Sequence, residues 1–329
     1  MSFSLTILGS SSAIPTSQRF PTAHLLNAGE RFFLIDCGEG TQIQLRRFRI
    51  RFGRINHIFI SHLHGDHVFG LFGLISSLSL MGRKSDLHIF SPPQLEPVLE
   101  SHLNTFGHER QFAIIYHPLT GTKPKRILDD AKISVDTIPL KHSTPCYGFL
   151  FREKEKLRNI RKDAIRFHNI PVKKIMEIKE GNDYIQADGT VIPNAALTFP
   201  PPPVRTYAYC TDTQILPKIA NQIEGVDLLY HEATFLNKDE ALAKKTLHST
   251  AGQAAKLARD AGVKNLILGH FSVRYKTIHP FAEEAAIHYP GVHLACDGDV
   301  YSIEPGGSAS VIPFQPLPES TRPVPDSDP

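Results

Sequence analysis

His62-Leu63-His64-Gly65-Asp66-His67 packs three histidines and an aspartate into six residues. Upstream, Ile55-Asn56-His57-Ile58-Phe59-Ile60 is apolar and β-branched, and reads as a buried strand. Downstream, Phe69-Gly70-Leu71-Phe72-Gly73-Leu74-Ile75 reads as the start of a packed helix. The six residues therefore occupy a strand-to-helix turn, where three imidazoles and a carboxylate converge on a small volume. Gly65 lets the backbone turn tightly without a Cβ clash. Neutral imidazole and carboxylate are ligands that suit zinc. A histidine-rich surface turn is the competing reading, and the apolar runs on both sides argue against it.

Composition sets the frame. The chain has 329 residues, 41% apolar and 21% charged, which fits a soluble globular protein of one large domain or two ordinary ones. A formal charge of +3 permits an anionic partner without requiring one. Cys37, Cys146, Cys210 and Cys296 form no C-x-x-C pair and read as reduced thiols of a cytoplasmic protein. Met1 to Thr6 lacks a basic region followed by an apolar stretch of signal-peptide length, and no apolar run reaches membrane-span length. No membrane partner is expected.

Outward from the turn, Ser4–Leu8 reads as a first strand, followed by the small-residue loop Gly9-Ser10-Ser11-Ser12-Ala13-Ile14-Pro15-Thr16. That loop is a phosphate cradle or a plain turn. His24–Asn27 and Arg31–Asp36 look like a hairpin, and Asp36-Cys37-Gly38-Glu39-Gly40-Thr41 leads into a helix from Gln42 to Arg47. Asp36 either orients neighbouring ligands or caps that helix. Arg46, Arg47, Arg49, Arg51 and Arg54 form a basic cluster, either a solvated helix end or a phosphate contact. Further strands are expected at Leu87–Phe90, Ile133–Ile138, Thr206–Thr213, Asp227–Phe235, Asn265–Tyr275 and Val292–Ala295. Helices are expected at 94–106, 251–261, with Ser249 as N-cap, and 280–288. From 152 to 192 the chain turns basic and poor in large apolar residues. It reads as an inserted, exposed arm, either a solvated helical hairpin or a handle for an anionic polymer, with Lys154, Lys156, Arg158, Lys173 and Lys174 as candidate contacts. Pro200–Pro203 is a stiff spacer back to the core. Residues 306–329, Gly- and Ser-rich and then Pro-rich, are expected to be a disordered tail.

His-x-His-x-Asp-His resembles the signature of the metallo-β-lactamase fold. The resemblance implies an α/β class: an αβ/βα sandwich of two mixed β-sheets flanked by helices, here with the basic arm inserted in a catalytic domain of residues 1–305. Three further candidate ligands, His142, Asp212 and His270, stand at expected strand ends. By resemblance His62, His64 and His142 hold one zinc, Asp66, His67 and His270 hold a second, and Asp212 bridges them. Manganese or cobalt would also suit such ligands. Other stretches narrow the likeness. His231-Glu232-Ala233-Thr234, His248-Ser249-Thr250-Ala251, Gly269-His270-Phe271-Ser272-x-Arg274-Tyr275, the Gly-Ser-Ser-Ser-Ala-Ile-Pro loop and Asp36–Thr41 are similar to motifs of the ribonuclease Z family, over about residues 4–304.

That resemblance implies a zinc-dependent endoribonuclease that removes the 3′ trailer of precursor tRNA by hydroxide attack in line on phosphorus, leaving a tRNA 3′-hydroxyl. It implies a homodimer whose arm grips the tRNA body. Asp66 would orient the nucleophile or take its proton, and His248 would protonate the leaving oxygen. Glu232 would orient His248, and Arg274 would meet a phosphate or pair with a core carboxylate. The stretch Ile170-Pro171-Val172-Lys173-Lys174-Ile175-Met176 departs from the Gly-Pro-rich arm tip common in that family. Three other readings share the fold: a hydrolase of small esters, lactams or phosphodiesters, a nuclease of other RNA or DNA, and a non-catalytic RNA-binding relative. The last would be expected to lose ligands, and none of the seven is missing.

Overall fold

A computed structural model describes residues 2–106 and 110–315. The first half of the chain builds one layer: β1 (Phe3–Gly9), β2 (Ala23–Ala28), β3 (Arg31–Ile35), α1 (Thr41–Arg47), β4 (Ile55–Phe59), α2 (Gly65–Leu80), β5 (Leu87–Ser91), α3 (Leu95–Phe106) and β6 (Ile114–Pro118). A second layer begins with β7 (Arg126–Asp129), β8 (Ile133–Pro139) and β9 (Tyr147–Glu153). An inserted module follows, with β10 (Asn159–Ile160), α4 (Lys162–Phe167), α5 (Val172–Lys179), β11 (Tyr184–Ile185), β12 (Val191–Ile192), α6 (Asn194–Leu197) and β13 (Thr198–Phe199). The second layer then resumes with β14 (Thr206–Cys210), β15 (Leu228–Glu232), α7 (Glu240–Thr246), α8 (Ala251–Asp260), β16 (Leu266–Gly269), α9 (His279–Ala286) and β17 (His293–Leu294). β18 (Val300–Ile303) and β19 (Ala309–Ile312) return to the first sheet.

Two mixed sheets result, ordered β19-β18-β1-β2-β3-β4-β5-β6 and β17-β16-β15-β14-β9-β8-β7. Aromatic side chains from both, including Phe33, Phe59, Phe90, Phe149, Phe151 and Tyr207, fill the space between them. Leu45, Leu71, Leu74, Ile75 and Leu99 pack α1–α3 onto the outer face of the first sheet, and α8 covers β15 and β16. The strands β3 to β6 pair in parallel, as do β14 to β17. A parallel strand covered on both faces needs a continuous apolar run, and β15 and β16 are buried throughout. Ligand sites in such sheets gather at the carboxyl ends of the strands. Asp36, His62, Asp212 and His270 all lie just beyond those ends.

Several boundaries differ from the sequence reading. α2 begins at Gly65 with His64 as its N-cap, so Asp66 and His67 belong to its first turn. Thr250, not Ser249, caps α8: its side chain accepts from the Gln253 amide, and Gln253 answers on the Thr250 amide. Ser249 donates instead to the Thr213 carbonyl at 2.7 Å. The start of the tail is also corrected. Ser308 and Glu304 close a turn at Gly306 and Gly307, both at positive φ, and β19 then pairs with β18. Phe314 packs edge-on against Phe48 with ring centroids 4.7 Å apart. Residues 316–329 lie outside the described residues.

The inserted segment is no bare hairpin. Ala164, Ile170, Ile178, Tyr184 and Leu197 form a small core of its own, and it extends past 192 to β13, which pairs with β10. Its root is a buried ion pair, Arg205 to Glu153 at 2.7 Å. β9 runs away from Asp212 and β14 runs back toward it. The arm therefore leaves the sheet at the end opposite the histidine cluster, roughly 17 Å away for a five-residue strand. Among the described residues no helix is long and apolar enough to cross a membrane.

Candidate metal centre

Strand ends aim the side chains. Asp36, Asp212 and His270 follow β3, β14 and β16 with φ of 56°, 36° and 60°. Left-handed backbone costs energy in a residue with a Cβ, and such outliers concentrate at functional sites. Here the reversal turns each side chain toward the gap between the sheets' carboxyl ends.

Two groups of donor atoms meet there. His62, His64, His142 and Asp212 form one, and Asp66, His67 and His270 the other; a third set, Asp212, His248 and His270, overlaps both sides. Asp212 faces both. Its Oδ1 lies 3.1 Å from Nε2 of His67 and 3.1 Å from Nε2 of His270. Its Oδ2 lies 3.5 Å from Nε2 of His62 and 3.6 Å from Nε2 of His142. Asp66 sits 3.4 and 3.5 Å from the same nitrogens of His67 and His270. The Ala13 amide donates to the Asp66 carboxylate at 2.8 Å, so the Gly9–Thr16 loop positions a carboxylate rather than forming a free cradle.

The outer partners set which ring nitrogen is free. His67 donates through Nδ1 to Asp36 at 2.8 Å. Asp36 also accepts from the Ser61 amide and hydroxyl and, at 2.6 Å, from the Tyr209 hydroxyl. Asp36 is thus an orienting carboxylate and not a helix cap. Because the Ser61 hydroxyl proton goes to Asp36, its oxygen accepts from Nδ1 of His62 at 3.0 Å. His142 donates through Nδ1 to the Leu247 carbonyl at 3.3 Å. Thr234 donates to Glu232 at 2.7 Å, so its oxygen accepts from Nδ1 of His270 at 2.9 Å. Each of these four rings therefore turns an unprotonated Nε2 into the cluster, the arrangement that metal-ligating histidines share.

The residues fit divalent metal. The buried Nε2 atoms of His67 and His270 have no hydrogen-bond partner. Nε2 of His62 and Nδ1 of His64 face each other at 2.9 Å, close for two lone pairs without a cation between them. Burial favours a neutral His67, yet Asp212, Asp66 and Asp36 together push its pKa well above the ordinary value. Such a field calls for positive charge. Burial and the neighbouring imidazoles push His62 the other way, toward the neutral form that ligates.

His248 stands beside the cluster, its ring 5.0 Å from that of His142 and 5.5 Å from that of His270. Its Nδ1 lies 2.8 Å from the buried Glu232 carboxylate. Burial lowers the His248 pKa, but the Glu232 charge and hydrogen bond outweigh it and lift it to about 9. Burial raises the Glu232 pKa, and His248 overrides this to bring it to about 2. Arg274 is exposed and lies over the Phe235 ring at 5.4 Å, and among the described residues it pairs with no carboxylate. The arm cations stay at the far end. Lys154 pairs with Asp129, Lys156 with Glu153 at 3.6 Å, and Lys174 with Glu177 at 2.7 Å. Arg158 donates to Thr198 at 2.7 Å, and Lys173 is exposed. Beside His64 and Asp66 opens a cleft of about 460 Å³ with Ile14, Pro15, Pro21 and Phe69 among its walls.

Sequence reading passed over Ser61, Thr234 and Tyr209 as working residues. Ser61 and Thr234 stand beside or within histidine motifs, which was a signal, whereas Tyr209 has none in the sequence and is found only through its contact with Asp36.

The beta-lactamase superfamily domain profile matches residues 31–271, so fold and donor cluster together define a metallo-β-lactamase-class protein. Within that class the chain is 49% identical to a ribonuclease Z of Bacteroides thetaiotaomicron over 293 residues, 89% of this chain and 93% of the relative. It is 48% identical to a ribonuclease Z of Bacteroides fragilis, over 89% of this chain and 96% of that one. The crystal structure of human tRNase Z, short form, superposes with a TM-score of 0.66 at 26% identity, covering 90% of this chain and 98% of that one. The chain belongs to the ribonuclease Z family of endoribonucleases, which are phosphodiester hydrolases.

Thr234→Val keeps the shape and removes the hydroxyl that joins Glu232 to His270. We predict metal affinity weaker by roughly ten- to a hundredfold, as for other outer partners of ligating histidines. Competition with a chromogenic chelator reads this directly, and wild-type affinity in the variant would contradict the tautomer assignment.

Proposed function

We propose that this protein removes the 3′ trailer of precursor tRNA by hydrolysing one phosphodiester and leaving a 3′-hydroxyl on the tRNA. The two-sided placement of Asp212 between the two histidine groups carries the reading, and membership of the ribonuclease Z family supplies the substrate class. The donor sets fit two zinc ions: His62, His64 and His142 on one, Asp66, His67 and His270 on the other, Asp212 on both. Manganese and cobalt accept the same donors. When bound, such ions withdraw charge from phosphoryl oxygens and acidify water.

The chain's own groups do the rest. Asp66, held by the Ala13 amide, presents a carboxylate beside the cleft, where it orients water and accepts its proton. Glu232 holds Nδ1 of His248 and raises its pKa, which suits it to deliver a proton to the departing ribose oxygen. Arg274, over Phe235, is exposed to an incoming phosphate. The apolar cleft beside His64 and Asp66 suits nucleotides flanking the scissile bond. Ile43, Leu80, Val98 and Phe106 on α1–α3, with Met81 just after α2, are exposed and support a homodimer, to be checked by mass in solution. Four unpaired cysteines support a cytoplasmic setting.

Incubation with a precursor tRNA bearing a trailer, followed by mapping of both new ends, tests the function. A 3′-hydroxyl at the tRNA end is expected, and cleavage of a chromogenic lactam with no action on the RNA would sink the reading. His248→Ala is expected to retain its metal and to cut precursor tRNA about a hundredfold more slowly. On a p-nitrophenyl phosphodiester, whose leaving group needs no proton, the same variant should be far less impaired. Equal losses on both substrates would remove the proton-donor role.

A further inference from the structure

The loop that joins β1 to β2 is closed by a carboxylate from the far end of the chain. Asp297 follows β17, and its Oδ1 accepts from the Ser10 hydroxyl at 2.7 Å. Its Oδ2 accepts from the Phe20 amide at 2.7 Å and from Nε2 of Gln44 at 3.3 Å. Ser10 and Phe20 are the two ends of the loop. Between them the Ser11 amide donates to the Phe20 carbonyl at 3.0 Å. The neck is narrow: a Cβ on Gly9 would lie 1.8 Å from the Pro21 carbonyl oxygen.

Both sheets place Asp297. The Ala295 amide donates to the Leu268 carbonyl of β16 at 2.8 Å, and the Gly298 amide donates to the Ile7 carbonyl of β1 at 2.7 Å. The passage from β17 to β18 is therefore fixed against both layers where Asp297 stands. Gln44, fully buried on α1, also donates to the Leu8 carbonyl at 2.8 Å, which adds a third support. Burial pushes the Asp297 carboxyl up to about 6 despite the Phe20 and Ser10 donors, and Arg19 acts on it only at longer range. A carboxylate held by neutral donors adds little stability for its cost of burial. What this one does is join the ends of a loop.

The loop in turn reaches one side of the metal centre. Ala13, at φ 61°, donates its amide to Oδ2 of Asp66 at 2.8 Å. That same oxygen faces Nε2 of His67 and of His270, at 3.4 and 3.5 Å. The Phe271 amide, next to His270, donates to the Ser10 carbonyl at 3.1 Å, and the Ser12 amide donates to the Phe271 carbonyl at 3.2 Å. Among the described residues the loop makes no hydrogen bond to His62, His64 or His142.

We propose that Asp297 is a positioning residue for the ion held by Asp66, His67 and His270: by tying Ser10 to Phe20 it fixes the Ala13 amide that holds the Asp66 oxygen. This rests on the two-ion reading of the donor cluster and adds to it a residue outside every ligand motif.

Hydrogen exchange and stepwise removal of cobalt by a chelator, both on the loaded full-length protein, test the tie and its consequence separately. In Asp297→Ala the amides of residues 10–21 should exchange roughly tenfold faster, the effect of one lost hydrogen bond on local opening. Those of β15 and β16 should keep wild-type protection. One of the two cobalt ions should be held roughly tenfold more weakly, the lower end of the loss for an outer partner of a ligand. The other should be held as in the wild type. Ser10→Ala spares the Phe20 bond and should show the same pattern with smaller losses. Wild-type loop exchange, or wild-type retention of both ions, in Asp297→Ala overturns the proposal, and Ser10→Ala decides it in the same way if Asp297→Ala does not fold. Equal weakening of both ions with faster exchange across β15 and β16 also overturns it, since the role is then general stability. A wild type that holds a single ion refutes the two-ion reading, and refutes the tie as well only if Asp297→Ala holds that ion equally tightly.

Discussion

The structure depends on Asp212 lying between two sets of imidazoles. A buried carboxylate is costly unless it is matched by positive charge or by several donors. Asp212 is almost wholly buried and has four ring nitrogens within 3.6 Å across its two oxygens. Those nitrogens come from α2 and its preceding loop in the first layer, and from loops after β8 and β16 in the second. Joining the layers at this point fixes where both sheets end, so the fold and the donor geometry have a common origin. The left-handed backbone at Asp36, Asp212 and His270 is the conformational cost of that convergence.

A second layer of hydroxyls and carboxylates makes the donors usable. Asp36 collects four hydrogen bonds and holds His67, while Ser61 relays its influence to His62. Glu232 does the equivalent on the other side, reaching His270 through Thr234 and His248 directly. One buried carboxylate thus positions both His270 and His248. This coupling explains why the His-Glu-Ala-Thr and His-Ser-Thr stretches belong to one site although they are separate in the chain.

Much of this was legible in the sequence because the chemistry is local. His62–His67 sits on one turn, and the apolar runs that lead to His142, Asp212 and His270 read as buried strands with candidate ligands beyond their ends. What was not legible depended on contacts between distant residues. The half-polar runs Ile114–Pro118 and Arg126–Asp129 are edge-side strands, recognisable only from their partners β5 and β8. Ser308–Ile312 reads as tail by composition, but two glycines at positive φ fold it onto β18. The arm's formal charge was visible, and its cancellation at the root was not, since Lys154 finds Asp129 from another strand. The choice between capping and orienting roles for Asp36 likewise needed Tyr209, far along the chain.

The donor cluster and the inserted module sit at opposite ends of the second sheet. The metal centre lies where β14, β15 and β16 finish, and the arm is rooted where β14 begins, behind the buried Arg205–Glu153 pair. In the proposed function Asp212 closes a two-ion site. Calorimetric titration of metal-stripped protein with cobalt or zinc, with stoichiometry confirmed by elemental analysis, tests it most directly. Two ions per chain are expected in the wild type and one or none in Asp212→Ala. A wild type that takes up a single ion, or an Asp212→Ala variant that still binds two with unchanged affinity, would contradict it.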